Sequence, residues 1–244
     1  MKCLILAAGY ATRLYPLTEN YPKPLLKIKG KAILDWLIED IRSSGKVERF
    51  MVVTNHRFAE IFQEWAKDRN DIDIIDDLTG SNETRLGAVR DIQYAIEQAG
   101  IDDDLLVIAG DNLLDFSLCY FIDYVQAKYT SCTMRYRETA KEKLQRAGVS
   151  VVDADERLLE LEEKPAEPKS EWCTPPFYFY KAEDVRKIGM AIDEGCGTDA
   201  PGSLVAWMCK NSVIHSMEMP GNRYDIGNLE NYRDAQENYQ GIRN

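Results

Sequence analysis

Histidine is almost missing from this chain of 244 residues: His56 and His215 are the only two, far apart and without ligand spacing. Zinc centres and Ser-His-Asp hydrolases both lean on imidazole, so neither chemistry is expected. Basic residues are also in short supply. Thirty Lys and Arg stand against forty-one Asp and Glu, a formal charge of −11. Nucleic-acid binders usually carry a basic surface, so no duplex or tRNA partner is expected. No apolar stretch approaches the roughly 18 residues of a membrane-spanning helix. The apolar start from Met1 to Gly9 is too short for a signal peptide and is followed by Arg13, so it reads as a buried first strand. The six cysteines (Cys3, Cys119, Cys132, Cys173, Cys196 and Cys209) form no C-x-x-C pair. They read as reduced thiols of a cytoplasmic protein. A Walker A loop, a G-x-G-x-x-G fingerprint, internal repeats and low-complexity tracts are absent as well. The missing fingerprint disfavours an NAD-linked enzyme.

What remains is an ordinary globular composition, 45% apolar. Apolar runs of strand length fall at 2–6, 50–54, 72–75, 105–108, 131–136, 149–152, 177–180 and 212–217. Amphipathic stretches of helix length fall at 33–43, 58–67, 87–98, 117–127, 183–194 and 229–240. In the first of these Ile33, Trp36, Leu37, Asp40 and Ile41 share a stripe. Alternating strand and helix signals in the first half predict parallel β-α-β units. The continuous apolar run Leu105-Leu106-Val107-Ile108-Ala109 suits a sheet covered on both faces. In such sheets ligands sit beyond the carboxyl ends of the strands.

Six segments offer groups that could carry chemistry. Leu6-Ala7-Ala8-Gly9-Tyr10-Ala11-Thr12-Arg13-Leu14 follows the first strand. Small residues let backbone N–H groups approach an anion, and Arg13 adds a guanidinium, a fitting cradle for a triphosphate. The same residues also suit an ordinary small-residue turn. In Tyr21-Pro22-Lys23-Pro24 two prolines restrict where Lys23 points, which suits an ammonium working on a phosphate; a surface lysine is the plainer reading. Ala109-Gly110-Asp111-Asn112 ends the most apolar strand and offers a carboxylate for Mg²⁺, which prefers oxygen ligands, though these residues also favour turns. Asp225, in Arg223-Tyr224-Asp225-Ile226-Gly227-Asn228, could share that ion. In Leu161-Glu162-Glu163-Lys164-Pro165, Lys164 suits a substrate phosphate and Glu163 suits sugar hydroxyls; a solvated turn fits too. Asn82 offers an amide for a base edge, and Gly87 would let a base lie on the backbone, or the segment simply caps a helix.

The order and spacing of these segments resemble the sugar nucleotidyltransferase family, which includes glucose-1-phosphate thymidylyl-, uridylyl- and cytidylyltransferases. The resemblance runs over L-A-A-G-x-x-T-R-L, P-K-P-L-L, N-x-x-x-x-G, G-D-N, E-E-K-P and Y-D-I-G-N-x-E-N-Y, from residue 1 to about 236. It implies a single α/β domain over 1–244, a three-layer α/β/α fold with a mixed, mainly parallel sheet. Residues 1–115 would form the nucleotide-binding half and 116–244 the acceptor-binding half. It further implies that Leu6, Ala8, Gly9, Thr12, Arg13 and Lys23 hold the nucleotide with Asp111, and that Asn82 and Gly87 meet the base. Asp111 and Asp225 would ligate Mg²⁺. Asn112, Glu163, Lys164 and Thr174 would lie against a phosphorylated acceptor, with Arg13, Lys23 and Lys164 as catalytic cations.

Several positions depart from the family pattern. Ala11 replaces the usual second glycine of the first loop. Asn82 stands where thymidylyl enzymes carry Gln, which leaves the base open. Thr174-Pro175-Pro176-Phe177 replaces a T-G-[IL]-Y type of wall, and two prolines remove donors and flexibility there. No hexapeptide-repeat extension is seen, so acetyltransferase activity and repeat-mediated trimers are not expected; a monomer or homodimer is. The expected reaction joins a nucleoside triphosphate to a sugar 1-phosphate with loss of pyrophosphate. Two alternatives remain open. One is a CTP-dependent enzyme acting on phosphocholine or another small phosphorylated alcohol, with Trp172, Phe177, Tyr178 and Tyr180 facing a quaternary ammonium. The other is a non-catalytic sensor of nucleotide sugars.

Overall fold

A computed structural model describes residues 1–243, and the chain divides into two compact units that interleave in sequence. The first comprises Met1–Arg85, Ala109–Ile122 and Pro220–Asn244; the second comprises Leu86–Ile108 and Asp123–Met219.

In the first unit, strand Lys2–Leu6 pairs parallel with Arg49–Thr54, which pairs parallel with Ile72–Asp76. Their crossovers contain helices Ile33–Ser43 and Ala59–Ala66. The first of these buries Ile33, Leu34, Leu37, Ile38 and Ile41, the spacing of one helical face. Its predicted bounds, 33–43, are those observed. Strands Asn112–Leu114 and Arg223–Asp225 form an antiparallel pair with Asp225 opposite Asn112. Helix Leu229–Asn238 follows, capped by the Asn228 side chain, which accepts from Asn231 N at 2.8 Å. Tyr239 is fully buried behind that pair. Its ring meets Trp36 and Tyr224 edge-on at 5.3 and 5.5 Å, and its hydroxyl donates to Leu114 O at 2.8 Å.

In the second unit, antiparallel pairing dominates. Phe177–Tyr180 pairs antiparallel with both Leu105–Ala109 and Ser131–Arg137. Trp172–Thr174 joins Ser131–Arg137 to Gly148–Val152, and Leu158–Glu163 extends the edge. Ile214–Glu218 runs parallel to Ser131–Arg137. The pairing is thus mixed, as the sequence predicts, with the parallel β-α-β part in the first unit. Helix Gly202–Asn211 is not among the predicted helices, although Leu204, Val205, Met208 and Cys209 are its buried face. The predicted helix over 183–194 is two short ones, Ala182–Val185 and Ile188–Asp193. Between them Lys187 Nζ folds back to Asp184 Oδ1 at 2.9 Å and Ser212 Oγ at 2.7 Å, anchoring the turn instead of continuing the helix. Among the described residues no helix is long and apolar enough to cross a membrane.

Removing the Tyr239 hydroxyl should cost about 1 kcal/mol, and Tyr239→Ala about 3–5 kcal/mol, because the ring fills a closed space. Urea denaturation measures both. An Ala variant within 1 kcal/mol of wild type would show that the ring does not hold this corner.

Candidate active site

The first strand ends at Leu6, and the chain there is tied on both sides. Gly110 N donates to Leu6 O at 3.0 Å, and Ala7 N donates to Val53 O at 2.9 Å. Gly110 is required by space: a Cβ there would lie 2.9 Å from Ile5 Cγ2 and 3.4 Å from Leu6 O. Ala7 and Ala8 are buried, whereas a Cβ on Gly9 would meet nothing within 4 Å. Gly9 therefore borders open space. Ala11 adopts a left-handed conformation (φ 46°), and its carbonyl accepts from Leu14 N at 3.0 Å and Thr18 Oγ1 at 2.8 Å. These bonds turn the chain into the short helix Thr12–Leu14, leaving Thr12 and Arg13 exposed. One residue that sequence reasoning missed secures the loop. Asn55, fully buried, donates from Nδ2 to Ala8 O at 3.0 Å and accepts from Phe58 N at 3.2 Å. The signal was an amide directly after an apolar strand.

Leu6, Gly9, Arg13, Lys23, Asp111 and Gly227 line a cleft of ≈230 Å³. Lys23 sits in the short helix Lys23–Leu25 behind Pro22 and is only 7% exposed. Its ammonium donates to Asp111 Oδ2 at 2.8 Å. A buried ammonium needs such a partner. Burial pushes the Asp111 carboxyl up, but the Lys23 and Arg223 cations outweigh it and hold the group below its usual range. Asp111 Oδ1 accepts from Asn112 Nδ2 at 2.8 Å. The Asn112 side chain is buried, and its Oδ1 accepts from Arg223 Nη1 at 2.6 Å, so its amide is engaged at both ends. Asp225 lies across the strand pair from Asn112, the residue next to Asp111. Its side chain is 54% exposed, with Arg223 Nη1 at 3.8 Å from Oδ2. The strand pairing thus brings together the two carboxylate-bearing segments singled out in the sequence. Two carboxylates with oxygen-only donors fit Mg²⁺, which usually completes its shell with water and substrate phosphates.

Asn82 is exposed in the first unit, and its Oδ1 accepts from Arg85 Nη1 at 3.0 Å. Gly87 belongs to the second unit. There it has φ 91°, and a Cβ would lie 2.6 Å from Thr198 O, so the backbone of 198–199 presses directly on it.

The second unit also holds Glu163, Lys164 and Thr174. Strand register aligns Thr174 with Gly148, and Gly148 with Glu163, in one row across three strands. Thr174 is 9% exposed, and its hydroxyl has no hydrogen-bond partner among the described residues. The Glu163 carboxylate lies over Gly148 and at the start of helix Gly202–Asn211. A Cβ on Gly202 would lie 1.9 Å from Glu163 Oε1, so any side chain there would have to displace the Glu163 carboxylate. Burial raises the Glu163 carboxyl above its usual range, against the Lys164 cation and the Gly202 N–H, which lower it. Lys164 is exposed with φ 51°, and its N–H donates to Ala147 O at 2.9 Å. The aromatic residues considered for a quaternary ammonium are otherwise occupied. Phe177, Tyr178 and Tyr180 are buried in the core, and the Trp172 ring carries the Arg135 guanidinium at 5.1 Å.

A family model described as Nucleotidyl transferase matches residues 2–241. The UTP–glucose-1-phosphate uridylyltransferase of Synechocystis sp. is 28% identical over 248 residues, 96% of this chain and 62% of its own length. The UTP–glucose-1-phosphate uridylyltransferase AglF of Haloferax volcanii is 24% identical, covering 98% of this chain and 97% of its own. A solved UDP-glucose pyrophosphorylase complexed with UDP-glucose superposes with a TM-score of 0.81 at 20% identity, over 98% of this chain and 97% of that one. Several curated relatives are longer: the chain spans between 51% and 62% of their length.

Because the folded Glu163 favours its protonated form, it binds more protons folded than unfolded, and its contribution to stability falls as pH rises through the carboxylate range. Glu163→Gln keeps an acceptor for Gly202 N–H and removes that dependence. The melting temperature of the variant minus that of wild type should rise from about pH 4 to about pH 8. A difference that stays flat contradicts the burial of this carboxyl.

Proposed function

The chain belongs to the nucleotidyl transferase family, and from that premise we propose that it transfers a nucleoside monophosphate from a triphosphate to a sugar 1-phosphate, releasing pyrophosphate. The observation that carries the transfer chemistry is the cleft where Lys23 Nζ stands 2.8 Å from Asp111, beside the open Gly9 and the exposed Arg13. The acceptor is read from the row Thr174–Gly148–Glu163, which sets a buried hydroxyl without a partner and a carboxylate on either side of a glycine. Such groups suit a polyhydroxylated ligand. A methylated ammonium would need open aromatic faces instead, and the rings considered for it are in the core or under Arg135. The uridylyltransferases among the relatives support the sugar reading.

In the proposed reaction an oxygen of the acceptor phosphate attacks the α-phosphorus of the triphosphate in line. One O–P bond forms, the α–β anhydride bond breaks, and pyrophosphate leaves with the electron pair. A phosphate monoester is already anionic near neutral pH, its second pKa being about 6, so no residue has to remove a proton. The protein's task is to hold two mutually repelling anions and to offset the charge that develops. Arg13 and the N–H groups of the first loop take the triphosphate, Lys23 stands on the side of Asp111, and Lys164 takes the acceptor phosphate. Asp111 and Asp225 would hold Mg²⁺, which when bound neutralises phosphate oxygens as a Lewis acid.

The test is pyrophosphate release from each of the four ribonucleoside triphosphates and dTTP, with a panel of sugar 1-phosphates and with phosphocholine. Turnover with a sugar 1-phosphate is expected, and turnover with phosphocholine alone would overturn the acceptor. Lys23→Ala and Asp111→Ala should each lose about 10²–10³ in turnover while keeping wild-type circular dichroism. Near wild-type rates at saturating substrate and Mg²⁺ would remove these two residues from the mechanism.

A further inference from the structure

Asn112 and Arg223 form a chain of contacts that ends on Asp111. Arg223 Nη1 donates to Asn112 Oδ1 at 2.6 Å, and Asn112 Nδ2 donates to Asp111 Oδ1 at 2.8 Å. Lys23 occupies the other Asp111 oxygen. We propose that Arg223 is a positioning residue that, through Asn112, fixes the orientation of the Asp111 carboxylate for a divalent cation; this rests on the functional reading above.

The argument is one of donor and acceptor count. A guanidinium has five N–H donors and no acceptor, whereas a primary amide has one oxygen and one NH₂. Arg223 therefore accepts only one of the two orientations of the Asn112 amide, the one with Oδ1 toward it. That choice turns Nδ2 toward Asp111. With the amide reversed, NH₂ would face the guanidinium and oxygen would face the carboxylate, two repulsive contacts. Asn112 is 2% exposed, so water cannot readily stand in for either partner. Strand pairing supplies the reach: Arg223 stands opposite Leu114, and Asp225 stands opposite Asn112, so the arginine lies diagonally across the strand pair from the amide, two residues along. Arg223 Nη1 donates to Asn112 and stands 3.8 Å from Asp225 Oδ2, so one guanidinium serves both segments that would hold the ion.

Mn²⁺ alone, titrated against the full chain and followed by the electron paramagnetic resonance of the free ion, reads this directly. Arg223→Met should weaken Mn²⁺ binding by about tenfold, the lower end for losing a partner of a metal ligand. Arg223→Lys, which keeps a donor for Asn112 Oδ1, should stay within about threefold of wild type. The decisive comparison is a double-mutant cycle with Asn112→Leu. Once Asn112 is gone, Arg223→Met should no longer weaken Mn²⁺ binding, because the relay is already broken; loss of the cation near both carboxylates then leaves affinity equal or tighter. Unchanged Mn²⁺ affinity in Arg223→Met, equal losses in the Lys and Met variants, or effects that multiply in the cycle would overturn the relay. The functional reading fails separately: wild-type protein that binds Mn²⁺ but releases no pyrophosphate from any triphosphate would discard the reaction while the relay stood.

Discussion

An ammonium that is 7% exposed cannot stand alone, and the geometry of the first unit's cleft follows from how this one is satisfied. Lys23 reaches Asp111 Oδ2 at 2.8 Å. Removing Asp111 leaves the buried ammonium without its carboxylate, so the two segments that carry the pair are bound to one another's placement. Pro22 and Pro24 restrict the backbone on the lysine side. On the aspartate side Gly110 is pressed against Ile5 and Leu6, and no side chain fits. A proline-flanked lysine and a glycine before an aspartate thus serve one contact. Asp111 stays ionised there because Lys23 and Arg223 outweigh the effect of burial.

The chain is acidic by eleven charges, so its cations must be concentrated where an anion is to be held. Arg13 and Lys23 border the cleft, and Arg223 stands behind it on Asn112. The surrounding hydrogen bonds hold backbone rather than charge. Asn55 ties the first loop through Ala8 O, Thr18 ties it through Ala11 O, and Tyr239 ties the strand of Asn112 through Leu114 O. These groups are spent on the scaffold, which leaves Gly9, Thr12 and Arg13 open to a ligand.

Much of this was legible in the sequence because it is local. The first strand, helix Ile33–Ser43 and the turns after Leu6 and Ala109 are written in periodicity and in small residues. The strand pair carrying Asp111's neighbour and Asp225 is not local. Its register, Asp225 opposite Asn112, is decided by packing around Tyr239 and Ile226, and no pattern within either short segment specifies the other. Leu158–Glu163 was missed because a register shift between Leu158 and Glu160 breaks the alternation by which strands are recognised. Asn112 illustrates a different limit. Its residue type suits a ligand, but whether its amide is free depends on Arg223, over a hundred positions away. Glu163 is similar: its place over Gly148 and against Gly202 is set by strands and a helix that only the fold assembles.

The most direct test is to see the ion. Crystals of the chain grown with Mn²⁺ and a non-hydrolysable nucleoside triphosphate analogue, recorded where Mn²⁺ scatters anomalously, would place it without reference to activity. The account predicts a single strong anomalous peak within coordination distance of both the Asp111 and Asp225 carboxylates, with the triphosphate against Gly9 and Arg13. A peak bound by neither carboxylate, or a triphosphate lying away from the first loop, would contradict it.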